Sequence, residues 1–164
     1  MNNQELLQRI RTLIHDSTGG RGIGILTTAS AERRPHATWM GTIASTALDR
    51  IITMTSPDSR KARNVLENPQ VEWLFTDQTM TELVYLYGRA RVLNDMDCIK
   101  TAWNQMPDKS RAYFLSRDGV GITFLIIETQ VESIEYHIPR ENLRYTLGST
   151  EIANLAAQAR TDSP

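Results

Sequence analysis

The sequence predicts a mainly β protein with flanking helices, in which about six antiparallel strands close into a small barrel. Two observations carry this prediction. Short apolar runs rich in β-branched residues alternate with short polar connections, which is typical of consecutive hairpins rather than of parallel strands joined by helices. The elements also follow the order helix, three strands, helix, two strands, helix, and one or two further strands.

The first part of the chain carries a helix and three strands. Apolar residues at helical spacing within residues 4–15 predict an amphipathic helix that ends in the polar segment 16–20. Apolar runs joined by turns at 31–34 and 48–50 predict three strands, over residues 22–29, 36–45 and 51–55.

A second helix is expected directly after the third strand. Ser56 suits the N-cap, Pro57 the first helical position and Asp58 the first turn. This helix should stop near Asn68 and Pro69, because a residue before proline is pushed out of the helical conformation.

The second half of the chain adds further strands and two helices. Gly88 predicts a bulge or bend within one long strand, residues 81–93, where a barrel wall curves. Asp95 caps a helix that runs through Trp103 to Gln105. The remaining strands and the closing helix are expected at residues 71–76, 121–127, 131–136 and 151–159.

Composition and charge limit the classes of function. A chain of 164 residues with 40% hydrophobic content fits a single domain, residues 1–164, with an N-terminal helix at 1–16 and a C-terminal helix and tail at 150–164. A formal charge of -1 predicts neither a nucleic-acid partner nor a membrane partner. One cysteine, Cys98, and three scattered histidines predict no disulfide and no metal site. Without an apolar span or signal segment, the expected location is cytoplasmic.

An anion site is the feature of this sequence that carries chemistry. The helix after residues 51–55 presents unpaired N–H groups and the positive end of its dipole at the end of a strand. Ser59 adds a hydroxyl there, and Arg60 and Lys61 add two positive charges. Such an arrangement binds a phosphate group, but a capped surface helix with solvated charges has the same local pattern.

The ordered motifs around this helix resemble the FMN-binding split-barrel family related to pyridoxamine 5'-phosphate oxidase, and most of all its general-stress-protein branch. They are Thr55-Ser56, Ser59-Arg60-Lys61-Ala62, Asn68-Pro69 and residues 71–75, with residues 33–40 upstream and 88–92 downstream. The resemblance covers roughly residues 5–147. It implies a six-stranded antiparallel split β-barrel of Greek-key topology, and a homodimer with FMN in a groove between two barrels. It also favours the phosphate interpretation of the helix start.

The resemblance implies roles for individual residues. Arg60 and Lys61 would bind the FMN phosphate, with Ser59 and the helix N-terminal amides completing the site. Gln105, and Trp103 unless it serves packing alone, would approach the flavin site of the partner subunit. The other implied flavin contacts are Thr53, Thr55 and Ser56 along one edge, and the backbone of Trp39, Met40, Gly41 and Thr42 along the isoalloxazine.

Several positions depart from the oxidases of this family. His137 stands where those enzymes carry a tryptophan beside the flavin, and a surface histidine at a strand end is the alternative interpretation. Arg140 and Arg144 keep the spacing of the substrate-binding arginines, but Asn142 stands at the histidine between them. This departure argues against vitamin B6 oxidation itself, and a solvated basic turn is the preferred interpretation of the two arginines.

The prediction is therefore an FMN-dependent oxidoreductase that acts on an unidentified small-molecule substrate or electron donor. No protein residue need be catalytic, because the isoalloxazine carries the redox chemistry. Two alternatives stay open: the same barrel with a deazaflavin or another phosphate-bearing cofactor, and a non-enzymatic flavin-binding stress or sensor protein, or a dimer that has lost its cofactor. His36, near the expected flavin edge, fits a functional role and a surface role equally well.

Overall fold

The computed structural model describes residues 2–20, 22–44, 48–106, 108, 111–112, 115–116 and 124–161 of the chain. Their helices include α1 (Asn3–Gly20), α2 (Arg60–Glu67), α3 (Met96–Gln105) and α4 (Ser149–Thr161). Their strands are β1 (Ile23–Ala29), β2 (Pro35–Gly41), β3 (Ile43–Ala44), β4 (Arg50–Thr55), β5 (Gln70–Thr76), β6 (Leu83–Leu93), β7 (Leu125–Ile138) and β8 (Leu143–Leu147). Within this part of the chain, no helix combines the length and the hydrophobicity that crossing a bilayer requires.

All eight strands belong to one antiparallel sheet. Its order is β2-β1-β5-β6-β7-β4-β3, and β8 pairs with the second half of β7. The predicted mainly β, antiparallel class with flanking helices is confirmed, but the strands number eight rather than six. The predicted closure into a complete barrel is wrong for the described residues, because the pairings end at β2 on one side and at the two-residue strand β3 on the other.

A bulge in β7 changes which of its side chains point inward. The register between β6 and β7 shifts at Gly88, which leaves Glu132 as an extra residue in β7. A Cβ at Gly88 would lie 2.1 Å from the Gln130 carbonyl oxygen, so the bend predicted at this glycine is confirmed. The inward, buried residues of β7 are odd-numbered before the bulge and even-numbered after it, namely Ile127, Thr129 and Val131, then Ile134 and Tyr136.

Two apolar cores lie on opposite faces of the sheet. The larger one fills the inner face beneath α1 and α2, and Trp73, Tyr136 and Phe75 are its largest fully buried side chains. The Trp73 indole N–H donates to Thr129 Oγ1 over 3.0 Å, which satisfies the polar atom of that ring inside the core. The smaller core packs α3 against the outer face of β4 and β7, where it meets Met54 and Ile126.

Several element boundaries differ from the predictions. The strand expected at 36–45 divides into β2 and β3. The strands expected at 121–127 and 131–136 belong to the single strand β7, because the bulge breaks their alternation without ending the pairing; residues 121–123 lie outside the described residues. β8 was not predicted, and it follows a 3₁₀ turn, Pro139–Glu141, that Asn142 completes in the left-handed conformation.

Candidate functional site

The predicted anion site begins where β4 ends. After Thr55 the chain turns, and the backbone N–H of Ser59 donates to the Ser56 carbonyl oxygen over 3.1 Å. α2 then begins at Arg60, with Ser59 as its N-cap accepting a hydrogen bond from the Ala62 N–H over 3.3 Å. The prediction of Ser56 as the N-cap is wrong by three residues, because both serines can cap a helix and the first one forms the turn instead.

α2 is fixed so that its first turn starts from the sheet. Asn64 is buried and donates to Thr28 Oγ1 of β1 over 2.9 Å, while Val65 belongs to the larger core. Residues four apart share a face of a helix, so Arg60 lies one turn before Asn64 and Lys61 one turn before Val65. Both cations therefore lie in the first turn of α2, Lys61 half-buried and Arg60 exposed, at the end where backbone N–H groups have no helical partner.

β2 brings a histidine to the same end of α2. His36 is half-buried on the inner face, pairs with Thr28 in the sheet, and has its Nδ1 3.0 Å from Thr38 Oγ1. Burial lowers the pKa of His36, and the charges of Arg60 and Lys61 lower it further. Sequence reasoning left this residue between two roles, and the structure turns its side chain toward the inner face.

The segment expected along the isoalloxazine lies at the open side of the sheet. The Gly41 carbonyl oxygen accepts a hydrogen bond from Thr53 Oγ1 over 2.7 Å, which ties the end of β2 to β4. Thr42 is held by Gly22, whose carbonyl oxygen accepts from its N–H over 2.8 Å and from its hydroxyl over 2.7 Å. Trp39 is 62% exposed, and a Cβ at Gly41 would meet nothing within 4 Å, so the surface beside them is open.

The other predicted flavin residues divide between buried and distant positions. Met40, Thr53 and Thr55 are buried, because alternation turns them toward the inner face. Gln105 is exposed at the end of α3, and His137 is half-exposed on the outer face of β7, which is four strands from β2. Among the described residues, no hydrogen bond or ion pair joins either of these two to α2.

The outer face of the sheet carries a row of apolar and aromatic side chains. Strand pairing aligns four of them, which we call the outer row: Trp39, Ile25, Leu74 and Tyr85. Glu72 lies beside this row, where burial raises its pKa and the neighbouring charge of Glu135 raises it further. Arg144 forms an ion pair with Glu135 at 3.7 Å, so this arginine belongs to the outer face.

Arg140, the other arginine of the predicted substrate segment, lines a separate cleft of about 870 Å³ between α1, the residues just before β6, and β8. There Arg9 donates to Glu82 Oε1 over 2.6 Å, and the buried Tyr136 donates to Glu82 Oε2 over 2.5 Å. Burial and the bond to Glu82 raise the pKa of Tyr136 to about 12. The structure therefore separates the two arginines, since they lie on different surfaces.

The N-terminal end of α2 carries the groups that bind a phosphate. Two permanent cations, the N-terminal backbone amides of a helix and a serine side chain lie together there, and an anion would be held by charge-assisted hydrogen bonds. The open surface at Gly41 lies five residues along β2 from His36, or about 17 Å of extended strand. Since alternate residues of a strand face opposite sides, Gly41 faces the outer side and His36 the inner side, so a ligand that contacts both would cross the edge strand β2.

Comparison with known proteins agrees with this geometry. The profile of the family described as pyridoxamine 5'-phosphate oxidase matches residues 6–138. None of the curated proteins compared with the chain matches it.

Solved structures share the fold at low sequence identity. A protein from Clostridium acetobutylicum, related to general stress protein 26 of Bacillus subtilis, is 15% identical with a TM-score of 0.74, over 92% of this chain and 99% of its own. A pyridoxamine 5'-phosphate oxidase-related, FMN-binding protein from Nostoc punctiforme is 12% identical with a TM-score of 0.62, over 88% and 93%. A heme-binding protein from Mycobacterium smegmatis is 15% identical with a TM-score of 0.68, over 90% of this chain and 60% of its own.

These findings confirm the resemblance that the motifs between Thr55 and Phe75 indicated, and with it the split-barrel fold. Because the matched segment runs from α1 to the end of β7 and so contains both the sheet edge and the start of α2, the chain belongs to the pyridoxamine 5'-phosphate oxidase family.

Proposed function

We propose that this protein binds FMN and acts as a flavin-dependent oxidoreductase, of the pyridoxamine 5'-phosphate oxidase-like type, on a small substrate. The observation that carries the proposal is the start of α2, where Arg60 and Lys61 stand together in the first turn of a helix capped by Ser59. The FMN-binding neighbour from Nostoc punctiforme has the same fold, which supports flavin as the ligand.

The residues of this chain would share the work of holding FMN. Arg60, Lys61 and Ser59, with the first N–H groups of α2, would bind the phosphate. The exposed edge at Trp39 and Gly41 would lie along the ring, because β2 ends the sheet on this side. Bound flavin would supply the hydride and electron transfer chemistry, while the protein orients the ring and shapes the substrate pocket.

We also propose that the active form is a homodimer. Gln105 and His137 lie away from α2 within one chain, so they can serve a flavin site only if a partner subunit presents them to it. The outer row is an apolar surface on which a second copy could pack. The wild type is expected to sediment as a dimer, and Trp39→Glu as a weakened dimer; a monomeric wild type would refute the homodimer proposal.

The single cysteine, Cys98, is an exposed free thiol, which suits the reducing cytoplasm.

The test of the cofactor is a titration of the purified protein with FMN, riboflavin and hemin. FMN is expected to bind, and to bind at least about tenfold more tightly than riboflavin because of the phosphate contacts. Reduction of the bound flavin by NADH or NADPH would support the oxidoreductase, whereas bound flavin without any turnover would favour a binding or sensor protein. Preference for a deazaflavin over FMN would change the cofactor and keep the phosphate site.

Heme binding is the second candidate, because the Mycobacterium smegmatis neighbour of the same fold is a heme-binding protein. Histidine is a common axial ligand of heme iron, and the chain has three histidines. Hemin binding with a Soret band that His36→Gln or His137→Gln abolishes, together with no FMN binding, would replace the flavin proposal by this one.

A further inference from the structure

His36 is a titratable group at the candidate phosphate site to which the proposed function gives no role. Its ring lies on the inner face of β2 opposite Thr28, and Thr28 in turn accepts the side-chain amide of Asn64 from α2. This contact brings α2 over the strand that carries His36. Because Arg60 is one helical turn before Asn64, the ring lies beside the cationic first turn of the helix.

The charged groups that act on His36 are both positive. α2 presents Arg60 and Lys61 to it, while β1 and β4 present only uncharged side chains on this face, those of Leu26, Thr28, Thr53 and Thr55. Burial and the two cations lower the pKa of His36, and no carboxylate among the described residues contributes to that shift. The ring is therefore neutral at physiological pH while the site contains no anion.

We propose that His36 takes up a proton when a phosphate group binds beside Arg60 and Lys61, a role that rests on the proposed function and makes FMN binding proton-linked. A phosphate monoester carries a charge of about -1.5 to -2 near neutral pH, and this negative charge stabilises the imidazolium. Without the phosphate, repulsion by Arg60 and Lys61 favours the neutral ring. The protonated ring has two N–H donors. Thr38 Oγ1, 3.0 Å from Nδ1, accepts one of them, and the Nε2–H is left for the anion.

Two titrations then oppose each other as the pH falls. The second proton of the phosphate monoester binds with a pKa of about 6, so acidification alone weakens FMN binding. Protonation of His36 offsets that loss in the wild type. Between about pH 8 and pH 6.5, we expect wild-type affinity for FMN to hold steady or rise, and the affinity of His36→Gln to fall.

The direct test follows the Cε1–H proton resonance of His36 across pH by NMR, in the free protein, with riboflavin and with FMN. His36→Gln identifies the resonance among the three histidines. FMN is expected to raise the titration midpoint of His36 by about 1 to 3 pH units, and riboflavin, which lacks the phosphate, is expected to leave it unchanged. His15→Gln, which changes an exposed histidine of α1, is the matched control, and it should retain the FMN-induced shift of His36.

Calorimetry adds a second readout. FMN binding near neutral pH, measured in buffers of different ionisation enthalpy, should show net proton uptake by the wild type that His36→Gln lacks. An FMN complex in which the His36 midpoint does not move would overturn the proton linkage and leave the proposed function intact. Absence of FMN binding would overturn both, and an equal shift with riboflavin would show that the phosphate is not its cause.

Discussion

Replacing Arg60 or Lys61 by alanine is expected to weaken binding of FMN far more than binding of riboflavin. The two ligands differ by the phosphate group, so only the FMN complex loses a contact to phosphate. A charge-assisted hydrogen bond contributes about 1.5–3 kcal/mol, which corresponds to an increase in Kd of about 10- to 150-fold. Arg60 is exposed and Lys61 is half-buried, so Arg60→Ala should lie near the lower end of this range and Lys61→Ala near the upper end.

The assay is a titration of ligand fluorescence at fixed ionic strength, since salt screens the attraction. Riboflavin Kd values should stay within about twofold of the wild type, because a twofold change is only about 0.4 kcal/mol. Arg63→Ala is the matched control: it removes a cation from the exposed side of the same helix and should leave both ligands unaffected. Equal losses for FMN and riboflavin, or a loss with Arg63→Ala as large as with Lys61→Ala, would refute the assignment of the phosphate site.

Two further predictions concern the fold that carries the site. Gly88→Ala should lower the free energy of unfolding by about 3 kcal/mol, because its Cβ would lie 2.1 Å from the Gln130 carbonyl oxygen. Gly41→Ala, whose Cβ would meet nothing within 4 Å, should change the free energy of unfolding by less than about 1 kcal/mol. Similar urea midpoints for the two variants would contradict this prediction. Asp77→Ala should cost about 2 kcal/mol, because the carboxylate accepts hydrogen bonds from three backbone N–H groups in the β5–β6 turn. Burial opposes ionisation of Asp77, but its hydrogen bonds lower the pKa of the carboxyl group. The stability that Asp77 contributes is therefore complete above about pH 4 and is lost on acidification. An equally steep acid loss of stability in Asp77→Ala would contradict this prediction.

The features of the fold that follow from local patterns were predictable from the sequence. Gly88 marked the bulge, and Asp95 marked the start of α3, where its side chain accepts a hydrogen bond from the Cys98 N–H over 2.9 Å. The start of α2 was misplaced because Ser56 and Ser59 have the same capping chemistry, and only the turn between them decides which one is used. β8 forms a hairpin with β7 and was still missed, because Arg144 and Thr146 interrupt its short apolar pattern and the segment was interpreted as a basic turn.

The candidate site was predictable where its residues adjoin in sequence. Ser59, Arg60 and Lys61 lie together in the structure because they are consecutive, whereas His36 joins them through the packing of α2 on β1 and β2. That packing depends on Asn64, a polar side chain whose burial is paid for by its bond to Thr28. A sequence pattern gives no reason to expect a buried asparagine, so the histidine stayed ambiguous.

The extra residue Glu132 determines which side chains of β7, and of the strands paired with it, face the inner side of the sheet. β4 and β8 pair with the first and second halves of β7, on either side of that residue, so the alternation of inner and outer side chains in one half is offset from the other by a single position. Removing the offset would leave one half in phase and turn the other half inside out, since a shift by one residue exchanges the two faces of a strand. The orientation of β4, and with it the start of α2, therefore depends on a one-residue bulge in β7, about 80 residues later in the sequence.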